Sequence, residues 1–288
     1  MSSLACAAVA GFTLVGLSTG VTNAAPGCPD VHWIGAAGSG ERGPEATLNG
    51  GMGRVVFQSF NALQQLLQRD GRTMTAEAVD YPATAVPEDG GVLDWADFMS
   101  SVDTGAAALG AQYESFVQQC PTSKVVLAGY SQGAMVVHRN LHALAASPNL
   151  AASLLIADGD RRPEDSTVNI GSVTSAPGAG KGVAQDWPIL AHAPAALPPE
   201  LGIKTISVCN LGDAVCDYKE DSEESESVMA TAVAIHTGYD VSTRGGQTWT
   251  SLLYQLIGPA PAASPLVLSG GGDVPSDAVP AAPVSTTS

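Results

Sequence analysis

Basic side chains are scarce in this sequence. Twelve Lys and Arg residues stand against 28 Asp and Glu residues, which gives a formal net charge of −16 over 288 residues. A protein that binds nucleic acid needs a basic stripe to neutralise phosphates, and none is present. The charge therefore argues against a nucleic-acid partner and against electrostatic adsorption to an anionic membrane.

Charged residues are missing altogether from residues 1–27, where an apolar stretch runs from Leu4 to Leu17 and small residues follow, including Thr22-Asn23-Ala24. This pattern predicts a secretory signal peptide over residues 1–24, although it lacks the usual basic residues at its start. No other stretch reaches the roughly 18 apolar residues that a membrane span requires. We expect the mature protein to be secreted, with no membrane span.

The length is sufficient for one sizeable domain. After Pro259 the sequence consists mostly of Ala, Pro, Ser, Gly and Thr, a composition that cannot form a packed core. We therefore predict one domain over residues 25–258 and a disordered tail over residues 259–288. We expect a monomer.

Cysteine is also rare, with five residues in the chain, of which Cys6 lies in the predicted signal peptide. The four that remain allow three disulfide pairings. Cys209 and Cys216 are close enough in sequence to close one tight loop, which leaves Cys28 and Cys120 for each other. An even number of cysteines fits an oxidising compartment outside the cell.

The order of apolar runs and helical patterns predicts an α/β fold. Alternating strands and helices imply right-handed crossovers and a mostly parallel sheet, here of five strands, covered by helices on both faces. The long stretch 161–201 shows little periodicity and is expected to be a loop. The predicted strands are Val31–Ala36, Thr73–Val79, Lys124–Ala128, Ser153–Ala157 and Ile203–Val208, and the predicted helices are Arg54–Arg69, Phe98–Gln119, a segment after Gly133, Ser227–Ile235 and Gln247–Ile257.

One motif stands out at the end of the third strand, where Gly129, Ser131 and Gly133 form a G-x-S-x-G sequence between a strand and a helix. In a nucleophile elbow a sharp turn exposes the serine hydroxyl, and small flanking residues let strand and helix approach closely. Ser131 is therefore the candidate nucleophile. The alternative is an ordinary tight turn with a structural serine.

A serine nucleophile needs a histidine as base and a carboxylate that orients the histidine. In hydrolases with this elbow the chain order is Ser, acid, His, and His236 fits that order. Asp213 follows the last strong strand within the Cys209 to Cys216 loop and is the preferred acid. Three other acids remain in competition with it: Asp158, Asp160 and Asp217.

An oxyanion hole would complete the site, since each missing donor typically raises the barrier by about 3 kcal/mol. The backbone N–H of Gln132 is one candidate donor. Ser39, in the glycine-rich turn after the first strand, is the second, and the alternative is a plain turn serine. The same turn has the G-x-G-x-x-G spacing of a dinucleotide site from Gly38 to Gly43, but the next helix starts too late for that use.

These motifs together resemble the cutinases and the cutinase-like esterases of actinobacteria. The matching residues are Ala37-Gly38-Ser39-Gly40-Glu41, Tyr81-Pro82-Ala83, Gly129-Tyr130-Ser131-Gln132-Gly133-Ala134, Cys209-Asn210, Gly212-Asp213-Ala214-Val215-Cys216, and His236 with Tyr239. The resemblance implies an α/β-hydrolase fold without a large lid, a catalytic triad of Ser131, Asp213 and His236, and an oxyanion hole of Ser39 and Gln132. It also implies disulfides from Cys28 to Cys120 and from Cys209 to Cys216.

The resemblance predicts a secreted serine esterase that forms an acyl-enzyme on Ser131, without a metal or other cofactor. Its substrates would be carboxylic esters at or near a lipid or polymer surface, such as cutin-like polyester, short to medium acyl esters or lipids. An acetyl-polysaccharide esterase is an alternative, and so is a catalytically silent envelope or binding protein with the same fold. The stretch between Asp213 and His236 is longer than in fungal cutinases, which leaves the substrate open.

Overall fold

The computed structural model describes residues 27–43, 46–87, 92–187, 195–220, 225–241 and 249–259. The predicted signal peptide and all but the first residue of the predicted tail lie outside these ranges. The predicted division of the chain therefore stays a prediction.

A single sheet of six strands lies at the centre of the described residues. Its order is β2-β1-β3-β4-β6-β5, and every neighbouring pair is parallel. Parallel strands place all their carboxyl ends along one edge, where sites form in sheets of this kind. The strands are β1 (Val31–Ala36), β2 (Met74–Ala78), β3 (Lys124–Tyr130), β4 (Leu150–Ile156), β5 (Val168–Ile170) and β6 (Thr205–Val208).

The prediction of five strands was wrong by one. The five predicted strands are all present, but β5 lies inside the stretch 161–201 that was expected to be a loop. This strand has three residues, sits at the edge of the sheet and pairs with β6 alone, and none of its residues is fully buried. A strand of three residues is too short for its alternation to be recognised in the sequence.

Helices cover both faces of the sheet. The core on one face involves α2 and α3, and the core on the other involves α1 and α6. None of the helices in the described ranges is long and apolar enough to cross a bilayer. The helices are α1 (Arg54–Arg69), α2 (Val92–Gln119), α3 (Gln132–Leu141), the short α4 (Pro199–Gly202), α5 (Glu226–Thr237) and α6 (Trp249–Ile257).

The central strands are buried on both faces because helices cover both of them. In β3, Val125 and Leu127 pack into the core beside α2 and α3, whereas Val126 and Ala128 pack beside α1 and α6. Successive side chains of a strand point to opposite faces, so each strand contributes to both cores. This is why β1 and β3 are nearly continuous apolar runs in the sequence.

Two disulfides are present, with the pairing that the sequence indicated. Cys28 bonds to Cys120 and Cys209 bonds to Cys216. The first joins the chain just before β1 to the residue after α2, at the amino ends of β1 and β3. The second closes the turn after β6, at the carboxyl edge. Disulfides of this kind fit an extracellular protein.

The Cys28 to Cys120 disulfide closes a segment of 92 residues in sequence. Replacing both residues with serine is expected to lower the free energy of unfolding by about 2–5 kcal/mol, because the unfolded chain regains conformational freedom. Esterase activity of the folded protein should not change, since this bond lies at the amino ends of the strands. Urea unfolding of both proteins tests the expectation, and equal unfolding midpoints would contradict it.

Candidate active site

The turn between β3 and α3 places Ser131 at the carboxyl edge of the sheet. Ser131 has φ 54° and ψ −119°, a left-handed conformation that residues other than glycine rarely adopt. Its N–H donates to the carbonyl of Ile156, and its own carbonyl accepts from Ala134 and Met135. These hydrogen bonds hold the strained residue in place, as a nucleophile elbow requires.

The two glycines of the motif are needed because backbone approaches them closely. A Cβ on Gly129 would lie 2.1 Å from the carbonyl oxygen of Gly133, and a Cβ on Gly133 would lie 2.2 Å from that of Ala36. Strand β3, helix α3 and the end of β1 are therefore packed backbone to backbone. This approach brings the turn after β1 next to the serine.

Ser131, His236 and Asp213 lie in a hydrogen-bonded chain. The Nε2 atom of His236 is 3.0 Å from the Oγ atom of Ser131, and its Nδ1 atom is 3.1 Å from each carboxylate oxygen of Asp213. Asp213 is fully buried, whereas the His236 side chain is 13% exposed. The hydroxyl therefore faces a ring nitrogen whose opposite nitrogen is held by a buried carboxylate.

Asp213 has a full set of hydrogen-bond donors. The N–H groups of Val215 and Cys216 donate to Oδ1, and the hydroxyl of Tyr239 donates to Oδ2 at 2.9 Å. Burial by itself would raise the pKa of Asp213, but the hydrogen bond and charge of His236 together with the backbone donors outweigh it, so the pKa is lowered. The carboxylate therefore stays ionised at neutral pH.

Two tyrosines hold the histidine and the acid in place, and sequence reasoning missed this role, since Tyr130 and Tyr239 were noted only as parts of motifs. Tyr130 stacks on the ring of His236 with centroids 5.3 Å apart, and its hydroxyl donates to the His236 carbonyl. The hydroxyl of Tyr239 also accepts from the N–H of Asn210. Burial and nearby carboxylates raise the pKa of both tyrosines, so both remain protonated donors.

The turn after β1 lies beside the elbow, as the sequence predicted. Gly38 has no room for a side chain, because a Cβ there would lie 2.6 Å from the ring of Tyr130. The N–H of Gly40 donates to the carbonyl of Ala83, which ties this turn to the loop after β2. Ser39 lies between Gly38 and Gly40. Within the described ranges neither its N–H nor its hydroxyl makes a hydrogen bond.

Gln132, the first residue of α3, has a backbone N–H without an acceptor inside the helix. Its buried side chain points away into a network, where Nε2 donates to the Thr84 carbonyl and Oε1 accepts from Ser101. The backbone N–H is thus available, while the side chain fixes the loop after β2. The Gln132 N–H directly follows Ser131, and Ser39 lies in the turn that packs against Tyr130.

The competing acids contact other groups. The carboxylate of Asp217 accepts from the N–H groups of Gly180 and Gly212, and Asp160 pairs with Arg139. Asp158 lies 2.6 Å from the Nδ1 atom of His138, deep in the protein. Asp158 and Asp160 thus belong to a buried ionic cluster with His138 and Arg139, and within the described ranges none of the three competing acids contacts His236.

Burial alone would lower the pKa of His138, but the charge and hydrogen bond of Asp158 and the charges of Asp160 and Asp165 outweigh it, so the pKa is raised. Such a histidine stabilises the fold below the pKa of the unfolded chain, and this contribution is lost as pH rises through the folded-state pKa. His138→Gln is expected to cost about 3 kcal/mol of unfolding free energy at pH 5.5. The cost should be smaller at pH 8.5. Urea titrations at both pH values measure the difference, and a cost independent of pH would contradict the expectation.

No group of three or more His, Cys, Asp or Glu side chains that could hold a metal ion occurs among the residues with described positions. The glycine-rich turn from Gly38 to Gly43 is followed by helix α1 only at Arg54. A dinucleotide site needs the helix to begin at the turn, so that its N-terminus meets the pyrophosphate. The site thus consists of a hydroxyl, an imidazole, a carboxylate and backbone donors.

Similarity to known proteins agrees with this geometry. Phospholipase Culp4 of Mycobacterium tuberculosis is 29% identical over 216 residues, which cover 75% of this chain and 79% of that protein. Cutinase CUT1 of Coprinopsis cinerea is 24% identical over 223 residues, which cover 77% of this chain and 82% of the cutinase. The structure of a cutinase-like protein from Cryptococcus sp. superposes with a TM-score of 0.52 at 20% identity, covering 81% of this chain and 98% of its own, which shows a shared fold.

The family profile named Cutinase matches residues 27–244, a range that contains every residue of the site described above. That range is more than half of the 288 residues of the chain. The protein therefore belongs to the Cutinase family and is a carboxylic ester hydrolase.

Proposed function

We propose that the protein hydrolyses carboxylic esters through an acyl-enzyme on Ser131. The observation that carries this proposal is the chain of contacts from the Ser131 hydroxyl through His236 to the buried carboxylate of Asp213. A hydroxyl is a weak nucleophile unless an adjacent base takes its proton as it attacks. The neighbouring donors of Ser39 and Gln132 support the same assignment.

In the first half of the reaction the Ser131 oxygen attacks the ester carbonyl carbon while Nε2 of His236 takes the hydroxyl proton. Asp213 holds the Nδ1 proton and stabilises the imidazolium that forms. The carbonyl oxygen becomes an oxyanion, which binds the N–H groups of Gln132 and Ser39 and the Ser39 hydroxyl. His236 then gives its proton to the alcohol oxygen, and the alcohol leaves.

In the second half water attacks the acyl-enzyme. His236 takes one proton from the water as its oxygen bonds to the acyl carbon, and the oxyanion hole stabilises the second tetrahedral intermediate. When this collapses, the proton returns to the Ser131 oxygen and the carboxylic acid is released. The free enzyme is regenerated without a cofactor.

Exposed apolar side chains support substrates at a lipid or polymer surface. Leu48 is 71% exposed and Val86 is 51% exposed, and they lie in the loops that follow β1 and β2 at the carboxyl edge. Val228 and Val233 are exposed on α5, the helix that carries His236. Exposed apolar residues in these loops and on this helix favour contact with an acyl chain or a polyester over contact with a dissolved polar ester.

The phospholipase and the cutinase among the relatives leave two substrate classes within this proposal: lipid esters and polyester. Acetyl-polysaccharide is the second candidate, since its small acyl group requires no apolar surface. The preferred range is short to medium acyl esters. The proposal also includes secretion, which the two disulfides support and which the uncharged N-terminal residues predicted.

Hydrolysis of p-nitrophenyl esters from acetate to palmitate by the mature protein tests the function. We expect the highest kcat/KM at chain lengths from about four to eight carbons, and stoichiometric inactivation by diethyl p-nitrophenyl phosphate, which esterifies activated serines. A maximum at acetate would favour the acetyl-polysaccharide esterase. Lack of hydrolysis together with lack of inactivation would favour the catalytically silent protein.

A further inference from the structure

Helix α5 positions His236 although it is poorly packed. Of its 12 residues, from Glu226 to Thr237, only Ala232 is buried. An amphipathic helix is normally fixed by burial of its apolar face, and this helix has little burial to fix it. Other contacts must hold the imidazole at hydrogen-bonding distance from Ser131.

Asp213 and Tyr130 contact His236 itself, and a further residue binds backbone carbonyls at the end of the helix. The Nη2 atom of Arg54 donates to the carbonyl of Thr237 at 3.2 Å and to that of Tyr239 at 3.0 Å. Thr237 is the last residue of α5, where a helix leaves its carbonyl acceptors unsatisfied and where the dipole favours a positive charge, and Tyr239 lies two residues beyond it. Arg54 therefore anchors the end of α5 and the residues just after it, from positions 183 and 185 residues away in sequence.

Arg54 is also connected to the turn that contains Ser39. It is the first residue of α1, and its N–H donates to Oε1 of Glu41 at 3.0 Å. The N–H of Gly38 donates to the other carboxylate oxygen, Oε2, at 2.8 Å. The carboxylate of Glu41 thus bridges the residue before Ser39 and the N-terminus of α1.

The glycine at position 53 leaves the space that the Glu41 carboxylate occupies. A Cβ on Gly53 would lie 1.9 Å from Oε2 of Glu41, so the carboxylate occupies the space that any side chain at position 53 would need. Gly53 also has φ 77°, which disfavours other residues there. Glu41 is half-buried, and both of its oxygens have partners. These features distinguish it from a solvated surface charge.

We propose that Glu41 and Arg54 form a strut that sets the distance between the oxyanion turn and the general base. The strut runs from Gly38 through the Glu41 carboxylate to the Arg54 backbone, and from the Arg54 guanidinium to the carbonyls after His236. Both are positioning residues, since neither touches the reacting atoms. The inference rests on the proposed function. Its consequence is kinetic, because a displacement of about 1 Å in a catalytic group can cost about 100-fold in rate.

Three variants test whether the strut affects kcat. Glu41→Gln keeps the shape but replaces one acceptor oxygen with an amide donor, and we expect kcat to fall by about 30-fold as the turn that carries an oxyanion donor shifts. Arg54→Gln removes the guanidinium, and we expect a fall of about 10-fold, smaller because Arg54 is exposed and water can replace part of its contacts. Arg54→Lys retains a cation with several donors and should recover about threefold or more of that loss. KM should stay within about twofold in all three, since substrate contacts are unchanged.

The chain offers matched controls. Arg69 is exposed at the other end of α1, and Glu114 is exposed on α2. Neither side chain makes a hydrogen bond or ion pair within the described ranges. Arg69→Gln and Glu114→Gln make the same chemical changes and should keep wild-type kcat. The double variant of Glu41→Gln and Arg54→Gln should lose no more than the more damaging single variant, because either change already breaks the connection.

The experiment is steady-state hydrolysis of p-nitrophenyl butyrate, with active sites titrated by diethyl p-nitrophenyl phosphate so that kcat refers to folded enzyme alone. A fall in kcat at constant KM, with rescue by Arg54→Lys and a non-additive double variant, is the expected result. Strut variants that match their controls, or multiplicative losses in the double variant, would overturn the inference while leaving the proposed function intact. Wild-type hydrolysis that does not depend on Ser131 would instead overturn the proposed function.

Discussion

Replacing Ser131 with alanine is expected to lower kcat for p-nitrophenyl butyrate by between about 10³-fold and 10⁶-fold. The change removes one oxygen, which in the wild-type protein lies 3.0 Å from Nε2 of His236. Without it an acyl-enzyme cannot form, and only background attack by water remains. The backbone keeps its place, because the hydrogen bonds of residue 131 to Ile156, Ala134 and Met135 are made by main-chain atoms.

The thermal midpoint of this variant should stay close to that of the wild type, since the change removes one oxygen atom and one side-chain hydrogen bond, to His236. Ser115→Ala is a suitable control because Ser115 is exposed on α2, near the amino end of β3. It should retain full activity. If Ser131→Ala kept more than about a tenth of the wild-type kcat with an unchanged thermal midpoint, the serine would not be the nucleophile.

Asp213→Asn is expected to lower kcat by about 10³-fold to 10⁴-fold with little change in KM. The hydrogen-bond donors around residue 213 determine the orientation of the new amide. Two N–H groups, from Val215 and Cys216, donate to Oδ1, so the amide oxygen must take that position and the NH₂ group must take the position of Oδ2. There it would lie within hydrogen-bonding distance of Nδ1 of His236, and donation to that nitrogen favours the tautomer with its proton on Nε2.

A proton on Nε2 prevents His236 from accepting the Ser131 proton, so the loss follows from the wrong tautomer rather than from displaced side chains. Asp97→Asn makes the same substitution at an exposed position on α2 and should leave kcat unchanged. A crystal structure of Asp213→Asn should show the three side chains in place. Full activity of this variant would mean that a different acid, such as Asp158, supports the histidine.

Much of the fold could be predicted because its signals are local. The ends of β1 and α1 follow directly from apolar runs and helical spacing, and the predicted bounds match the observed ones for both. Strand β5 was missed because three residues are too few for their alternation to stand out. Helix α2 begins at Val92 rather than at the predicted Phe98, because its first turn is followed by a weakly amphipathic sequence with no clear start signal.

The site was predictable to the extent that its chemistry is tied to motifs. The G-x-S-x-G turn and the order of acid and histidine lead to Ser131, Asp213 and His236, and the structure brings these three side chains together. The supporting contacts are different in kind. Arg54 meets Tyr239 across 185 residues, and such pairs leave no pattern in one sequence because only the folded backbone makes them neighbours.

The most direct test of the account is to trap the acyl-enzyme. Mature protein is mixed with excess p-nitrophenyl butyrate, quenched in acid within milliseconds, digested and analysed by mass spectrometry. We expect one butyryl group, on the peptide that contains Ser131, and none in Ser131→Ala. A butyryl group on another residue, or its absence while hydrolysis proceeds at the wild-type rate, would contradict a Ser131 acyl-enzyme.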